Sequence, residues 1–435
     1  MTHRPDGDGR VLHVDTLARV EGEGGMYVRV HDGEVVDVEL RIYEPPRFFE
    51  GLLRGRAWTE PPDITARICG ICPVAYQMSA CLAIEQACGV VVPDEIRRMR
   101  RLLYCGEWIA SHTLHVYMLH APDFLGYPGA VEMARDHRAL VEQGLRLKKA
   151  GNALLELVGG RAIHPVNVRL GGFYRLPTRD DLMAFRPVLA GALDDALATV
   201  RAVAAFEIPD LEQPHEYLSL RSESGYPLES GSFVSTSGRA FEAQEFDAQV
   251  VEEQVEHSHA LHARLVGADG FAVGPLARYA LNQDRLTPVA RQAADDAGLP
   301  AVCRNPFRSI VVRAVEIVEA CRSGLDVIDG WTGAPAAAVP VPARAGTGYG
   351  ATEAPRGTLV HRYTLDAEGT VTDAVIVPPT SQNQPAIESD LRAFVQTRLD
   401  LPDDELTRQC EQAIRNYDPC ISCATHFLTL TVERT

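Results

Sequence analysis

The feature that most constrains this chain is a pair of Cys-x-x-Cys motifs at its opposite ends. The first lies in Arg67-Ile68-Cys69-Gly70-Ile71-Cys72-Pro73, the second in Asp418-Pro419-Cys420-Ile421-Ser422-Cys423-Ala424-Thr425-His426. Two intervening residues let both thiolates of a pair turn toward one metal. Four such sulfurs suit zinc, iron–sulfur chemistry, or soft transition metals such as nickel and low-spin iron. A local zinc knuckle keeps its pairs close in sequence. Here most of a 435-residue chain runs between them. A shared site therefore closes only when the whole chain has folded, and it sits in the core. Spacing alone leaves a structural zinc site and a reactive centre both open.

Composition narrows the partners. A net charge of −17 argues against nucleic acid and against an anionic membrane surface. No uncharged run approaches the roughly 18 residues of a membrane span, and Met1 to Arg10 lacks an apolar signal core. The 10 cysteines without such a signal point to a reducing compartment, so the cytoplasm is expected, unless a partner subunit carries an export signal.

Alternation over Val11–Leu17 and Met26–Tyr43, with a turn at Asp32-Gly33, predicts a β-hairpin or small sheet. Helices are predicted at Pro73–Cys88, with proline in the first turn, at Asp94–His120, and at Val131–Val158 before the Gly159-Gly160 stop. Further helices are predicted at Asp180–Phe206, Phe241–Val266, Pro306–Ile328, Ala386–Leu399 and Asp403–Asn416. Thr358–Leu365 and Thr370–Val377 read as strands, Glu207–Ser237 as a loop with short strands, and Gly330–Gly350 as extended linker. The expected fold is mainly α with peripheral β (α+β): a β region over 1–66, a central bundle of long helices over 67–328, and a β/α segment over 329–426. Because the cysteine site joins both ends, one compact body over 1–435 is expected.

Several features invite sharper readings than they support. Cys81 and Cys88 lie seven apart on one helix face and read as packed core thiols. His112, His115 and His120 do not all share one face, so most of them read as hydrogen-bonded packing residues. Gly346-Thr347-Gly348-Tyr349-Gly350 imitates a phosphate loop, but a Pro-rich segment precedes it and a strand follows, so no nucleotide is expected on this chain.

The flanks of the cysteines say more than their spacing. R-x-C-G-x-C and D-P-C-x-x-C-x-x-H, in this order and at these ends, resemble the two signatures of the large, catalytic subunit of nickel–iron hydrogenases, and the resemblance runs over essentially the whole chain. It implies that Cys69 and Cys420 bind nickel terminally and that Cys72 and Cys423 bridge nickel to iron, whose shell is completed by CO and cyanide. The implied reaction is reversible cleavage of dihydrogen into two protons and two electrons. Such heterolysis needs a Lewis acid and a nearby base. The metals supply the first and the Cys420 thiolate the second.

The same resemblance assigns further residues. Arg19-Val20-Glu21-Gly22 matches an R-x-E-G segment whose Glu relays protons; without it, Glu21 would be a solvated strand-end acid. Glu50, six residues before Arg56, matches a carboxylate given to a second metal, usually magnesium; alone it would be a surface acid. Asp123 matches the acid that steadies an active-site arginine. Arg161 and His164 fall in a G-G-[KR]-x-x-H-P loop that faces the iron–sulfur cluster of a small subunit. Pro355 and Arg356 fall in an A-P-R-G segment that sets the arginine, with its fixed donors and permanent charge, over the metals. Thr380, with Ser381 beside it, matches a hydroxyl bonded to an iron-bound cyanide; both would otherwise be a turn after a strand. In the family a protease removes a tail after nickel insertion. That makes 427–435 a removable tail, with a final strand as the bland alternative, and His426 a magnesium ligand.

Tyr76 stands where many relatives have His, and the C-x-x-C-P-V-A-Y-Q run is similar to the soluble, NADP-linked sulfhydrogenase branch. The implied partners are an iron–sulfur small subunit, flavin/NAD(P) diaphorase subunits, a maturation protease and nickel chaperones. Two rivals remain: a quinone-site subunit of the complex I type, which has lost these cysteines, and a structural zinc scaffold held by the four cysteines.

Overall fold

The computed structural model describes residues 9–425. His426 and the tail assigned to 427–435 lie outside the described residues. Strands Gly9–Val14, Gly24–His31 and Glu34–Ile42 form an antiparallel meander. Its hairpin turns at Asp32-Gly33, with φ of 51° and 79°, the left-handed pair that a two-residue hairpin loop demands. One face of this sheet buries Leu12, Met26, Val28, Val38 and Leu40 against Ile387, Leu391, Ile414 and Cys410 of the two C-terminal helices, Pro379–Gln396 and Asp403–Arg415. Head and tail of the chain therefore share one apolar core, and this is what carries the second cysteine motif back to the first.

The interior is built from long helices: Pro73–Ala87, Asp94–Leu114, Arg138–Gly159, Arg179–Ala204 and Ser309–Asp329. Pro73–Ala87 is buried on nearly every side. It lies against the strand Gly346–Ala354, the first of an antiparallel meander completed by Gly357–Leu365 and Val371–Val377. The glycine run belongs to this contact. A Cβ on Gly346, Gly348 or Gly350 would stand 2.9, 1.9 or 2.1 Å from the carbonyl oxygen of Ala87, Ala83 or Ser79. Alternate residues of a strand share a face, so three glycines let the strand backbone touch the helix. The G-T-G-Y-G run is a packing device, and 346–350 is strand where extended linker was expected.

Helix Asp94–Leu114 passes through a widened turn, His115–His120, into Ala121–Leu125, which places Asp123. The expected helix over 131–158 is two, Ala130–Asp136 and Arg138–Gly159, broken at His137 with φ −120° and ψ 41°. The expected helix Phe241–Val266 is corrected. Strand Ala240–Phe241 and the single turn Phe246–Gln249 lead into a two-stranded ribbon, Val250–Glu253 with His262–Leu265. The β-branched pair Val250-Val251 opens the ribbon, and Val250, Ala263 and Leu265 bury one face of it, the half-buried alternation of a strand. Helix also begins earlier than expected, at Pro379, so Thr380 and Ser381 sit in a first turn. Among the described residues no helix is long and apolar enough to cross a membrane.

Candidate active site

Cys72 is the last residue before helix Pro73–Ala87, and Cys420 the last before the short helix Ile421–Ala424. Cys69 completes the first pair from the turn before its helix, and Cys423 completes the second from within Ile421–Ala424. One sulfur from each of the four lies within 4.8 Å of the others, and all four residues are buried. The closest approaches cross between motifs: Cys69 Sγ to Cys420 Sγ is 3.4 Å and Cys72 Sγ to Cys423 Sγ is 3.6 Å. The convergence expected of the two ends is therefore present.

Charge around the sulfurs is uneven. Hydrogen bonds from Cys420, Cys423 and Cys72 hold Cys69 well below the usual thiol range. Burial pushes Cys420 and Cys423 well above it. The protein's own donors thus sustain one thiolate, and deprotonating the rest calls for cationic charge among them. A soft metal pair fits this donor set.

Glu21 Oε2 accepts from Cys420 Sγ at 3.0 Å and from the Ser422 amide at 3.1 Å. A backbone bond from Ile421 N to Glu21 O, 2.9 Å, fastens the two segments. Burial first, then the charge of Cys69, raises the Glu21 carboxyl above its ordinary range. Ser422 Oγ donates to Glu44 Oε1 at 2.7 Å, so a second carboxylate stands one hydroxyl away. Gly22 is required here: with φ of 94°, a Cβ would lie 2.5 Å from Glu44 Oε2 and 2.6 Å from the Ile421 Cβ.

Arg356 is 2 % exposed. Its Nε donates to the Asp418 carbonyl at 2.8 Å and Nη2 to Asp418 Oδ1 at 3.2 Å. Its Nη1 is buried without a hydrogen-bond partner among the described residues, a donor left over for a ligand in the thiol pocket. Burial opposes its charge, but Asp418, Cys420, Cys72 and Cys69 hold it firmly cationic. The Pro355 carbonyl accepts from Arg278 Nη2 at 2.8 Å, which anchors the turn.

Asp123 lies between two arginines. It pairs with Arg415, at 2.8 and 2.9 Å, and with Arg19 Nη2 at 2.6 Å, whereas the carboxylate on Arg356 is that of Asp418. Asp123 thus braces the Arg19-Val20-Glu21 segment. The two hydroxyls also part company. Thr380 Oγ1 accepts from the Cys420 amide at 3.0 Å, but Ser381 Oγ turns away, to Glu252 Oε1 at 2.7 Å. Glu50 Oε1 accepts from the Ile376 amide at 2.8 Å. Burial pushes Glu50 up to about 7 and Glu252 up to about 8, and the charge of Glu50 adds to the second shift. His164, at a positive φ of 52°, bonds the Ala66 carbonyl through Nδ1 at 2.7 Å; Arg161 is exposed in the same loop.

Tyr76 and Glu107 complete the surroundings. Tyr76 is buried, and after burial itself the charges of Cys423, Cys72 and Cys420 raise its hydroxyl, so it borders the thiols. Glu107 was missed by sequence reasoning. It is fully buried and accepts from the Val74 and Ala75 amides at 2.6 and 3.1 Å, capping the helix that starts at Pro73. A helical Glu carries no signal of that contact. The three flagged histidines are packing residues as expected: His112 Nε2 is 3.0 Å from Glu316, His115 Nε2 is 2.7 Å from the Arg415 carbonyl, and His120 packs on Phe124.

Comparison with known proteins agrees with this geometry. The nickel-dependent hydrogenase family matches residues 47–166 and 269–426. Sulfhydrogenase 1 subunit alpha of Pyrococcus furiosus is 34% identical over 426 residues, covering 96% of this chain and 98% of that protein. The structure of an NAD+-reducing [NiFe]-hydrogenase in the dihydrogen-reduced state superposes with a TM-score of 0.86 at 27% identity, over 96% of this chain and 99% of that one. The Ni-Fe-Se hydrogenase of D. vulgaris Hildenborough shares the fold, with a TM-score of 0.81 at 23% identity, over 96% and 100% of the two chains. The chain belongs to the nickel-dependent hydrogenase family, as a catalytic large subunit. The complex I and zinc-scaffold alternatives fall away.

Proposed function

We propose that this subunit oxidises dihydrogen reversibly and passes the electrons to an iron–sulfur partner and on to NAD(P). The observation that carries the reading is the convergence of Cys69, Cys72, Cys420 and Cys423, with Glu21 and Arg356 beside them. Cys69, Cys72, Cys420 and Cys423 would together hold nickel and iron, the iron with CO and cyanide as its non-protein ligands. When bound, this pair supplies the Lewis acidity and redox capacity for splitting dihydrogen.

The remaining work falls to side chains. The Cys420 thiolate takes a proton and hands it to Glu21 over 3.0 Å. A carboxyl raised by burial takes up that proton more readily than an ordinary one and can still release it. Ser422 and Glu44 continue the route outward. Arg356 keeps an unspent Nη1 donor and a positive charge near the thiols, and Asp418 keeps the guanidinium in place. Thr380, through the Cys420 amide, fixes the sulfur on its own side.

Glu50 with His426 would hold magnesium, and the two raised carboxyls Glu50 and Glu252 favour a divalent cation there. Arg161 and His164 stand on a loop with exposed Ile163 and Val166, a surface suited to the iron–sulfur small subunit. The name of the NAD+-reducing structural neighbour supports flavin/NAD(P) diaphorase partners. Nickel chaperones and a protease acting at 427–435 would complete assembly in the cytoplasm, with 1–435 folding as one unit around the shared site.

Metal analysis with activity decides the reading. Near-equal nickel and iron, infrared bands of metal-bound CO and cyanide, and dihydrogen-dependent dye reduction are expected from the purified complex. Zinc alone, without those bands, would overturn it.

A further inference from the structure

We propose that His257, His262 and Glu388 form a second, mononuclear site for a divalent transition-metal ion of the zinc class. The claim is independent of the thiolate centre. Each residue offers one donor atom, and the three atoms lie within 4.8 Å of one another. Two imidazoles and a carboxylate are a nitrogen–oxygen set that zinc accepts readily.

The three come from different elements. His257 lies in the connection 254–261, His262 opens the strand His262–Leu265, and Glu388 projects from helix Pro379–Gln396. The N-terminal sheet holds two of these elements in place. The Leu40 amide donates to Glu388 Oε1 at 2.9 Å, and the His259 amide donates to the Ile42 carbonyl at 2.7 Å. The donors are thus positioned by backbone contacts before any ion arrives.

Distances within the cluster fit an ion better than a closed hydrogen-bond network. His257 Nε2 lies 2.8 Å from Glu388 Oε1, a normal pair. His262 Nδ1 lies 4.0 Å from Glu388 Oε2, too long for a hydrogen bond. One ion with bonds of about 2.0–2.2 Å to each spans that gap. The other ring nitrogen, His262 Nε2, is buried with no hydrogen-bond partner among the described residues, so no protein contact on that side fixes the ring's tautomer against ligation. His257 and Glu388 keep side-chain exposures of 23% and 17%, so water can fill a fourth position.

Ala260 packs on Ile42, Ile421 and Ala424. An ion here would clamp the 254–261 connection against the back of the Cys420–Cys423 turn. Sequence reasoning passed over the tract His257-Ser258-His259-Ala260-Leu261-His262 because it read this segment as helix; a His-rich run is itself a metal-binding signal.

Cobalt(II) titration of the nickel- and iron-loaded complex, in which the four cysteines are already occupied, tests the site. One cobalt per chain is expected with ligand-field bands but without thiolate charge-transfer bands, which separates this site from the cysteine quartet. His257→Ala, at the more exposed ligand, should lose that cobalt while keeping the wild-type circular dichroism, and His262→Ala and Glu388→Ala should lose it too. Zinc should raise the Tm of the wild type and leave that of His257→Ala unmoved. Cobalt bound with thiolate bands only, or equal uptake by wild type and His257→Ala, would reduce the cluster to a His257–Glu388 ion pair and overturn the proposal.

Discussion

Glu21 and Cys420, from opposite ends of the chain, are joined twice: carboxylate to thiol at 3.0 Å, and strand-like backbone pairing that adds the Ile421 amide at 2.9 Å. The backbone pairing sets the side-chain distance, so the acid cannot drift from the sulfur. Glu21→Gln keeps the shape and removes the exchangeable proton. Dihydrogen oxidation should fall by about 10²–10⁴-fold, the usual range for a lost acid–base group, with nickel and iron content unchanged. Rates and metal analysis on the same preparation check this; a wild-type rate would remove Glu21 from the route.

Arg356 and Asp418 are a buried ion pair, 2% and 1% exposed at the side chain. Removing one member leaves the other charge uncompensated. Asp418→Asn should cost about 3–5 kcal/mol of stability, read from urea unfolding. Arg356→Lys retains the charge but not the fork. It should lower activity more than stability, which a comparison of turnover with unfolding midpoints will show.

Gly348→Ala would place a methyl 1.9 Å from a helix carbonyl, with backbone on both sides of the contact. The expected loss is about 1–3 kcal/mol, as for overpacking generally. Thr347→Ala, on the exposed face of the same strand, should stay within about 0.5 kcal/mol. Thermal unfolding of the two variants separates contact from composition.

His120 is fully buried, and burial holds its imidazole down at about 3 against an ordinary 6.5. A depressed histidine leaves stability intact above pH 6.5. As pH falls from 6.5 toward 3 the unfolded chain takes up the proton and stability is lost, at up to about 1.4 kcal/mol per pH unit. Neither ring nitrogen has a hydrogen-bond partner among the described residues, and the ring packs on Phe124. His120→Phe should therefore fold, and its stability should decline by about one proton less over that window. Unfolding free energies at stepped pH measure the slope.

The chemistry was legible in the residues because it resides in short, ordered motifs. Two Cys-x-x-Cys pairs with their flanks pointed to one shared site, and the segments holding Glu21, Arg356 and Thr380, singled out by their motifs, lie beside it in the fold. The long helices were legible too, since 15 to 26 residues of pattern outweigh local ambiguity. What sequence could not decide was which partner each charge takes. Asp123 braces Arg415 and Arg19, Ser381 turns to Glu252, and Glu107 caps the helix behind Cys72. These pairings join residues dozens to hundreds apart, so they exist only after packing has brought the elements together. The 250–265 ribbon failed for the same reason. Its β character comes from pairing between its own two strands and burial of one face, a tertiary choice that a 16-residue window of mixed propensity leaves undetermined.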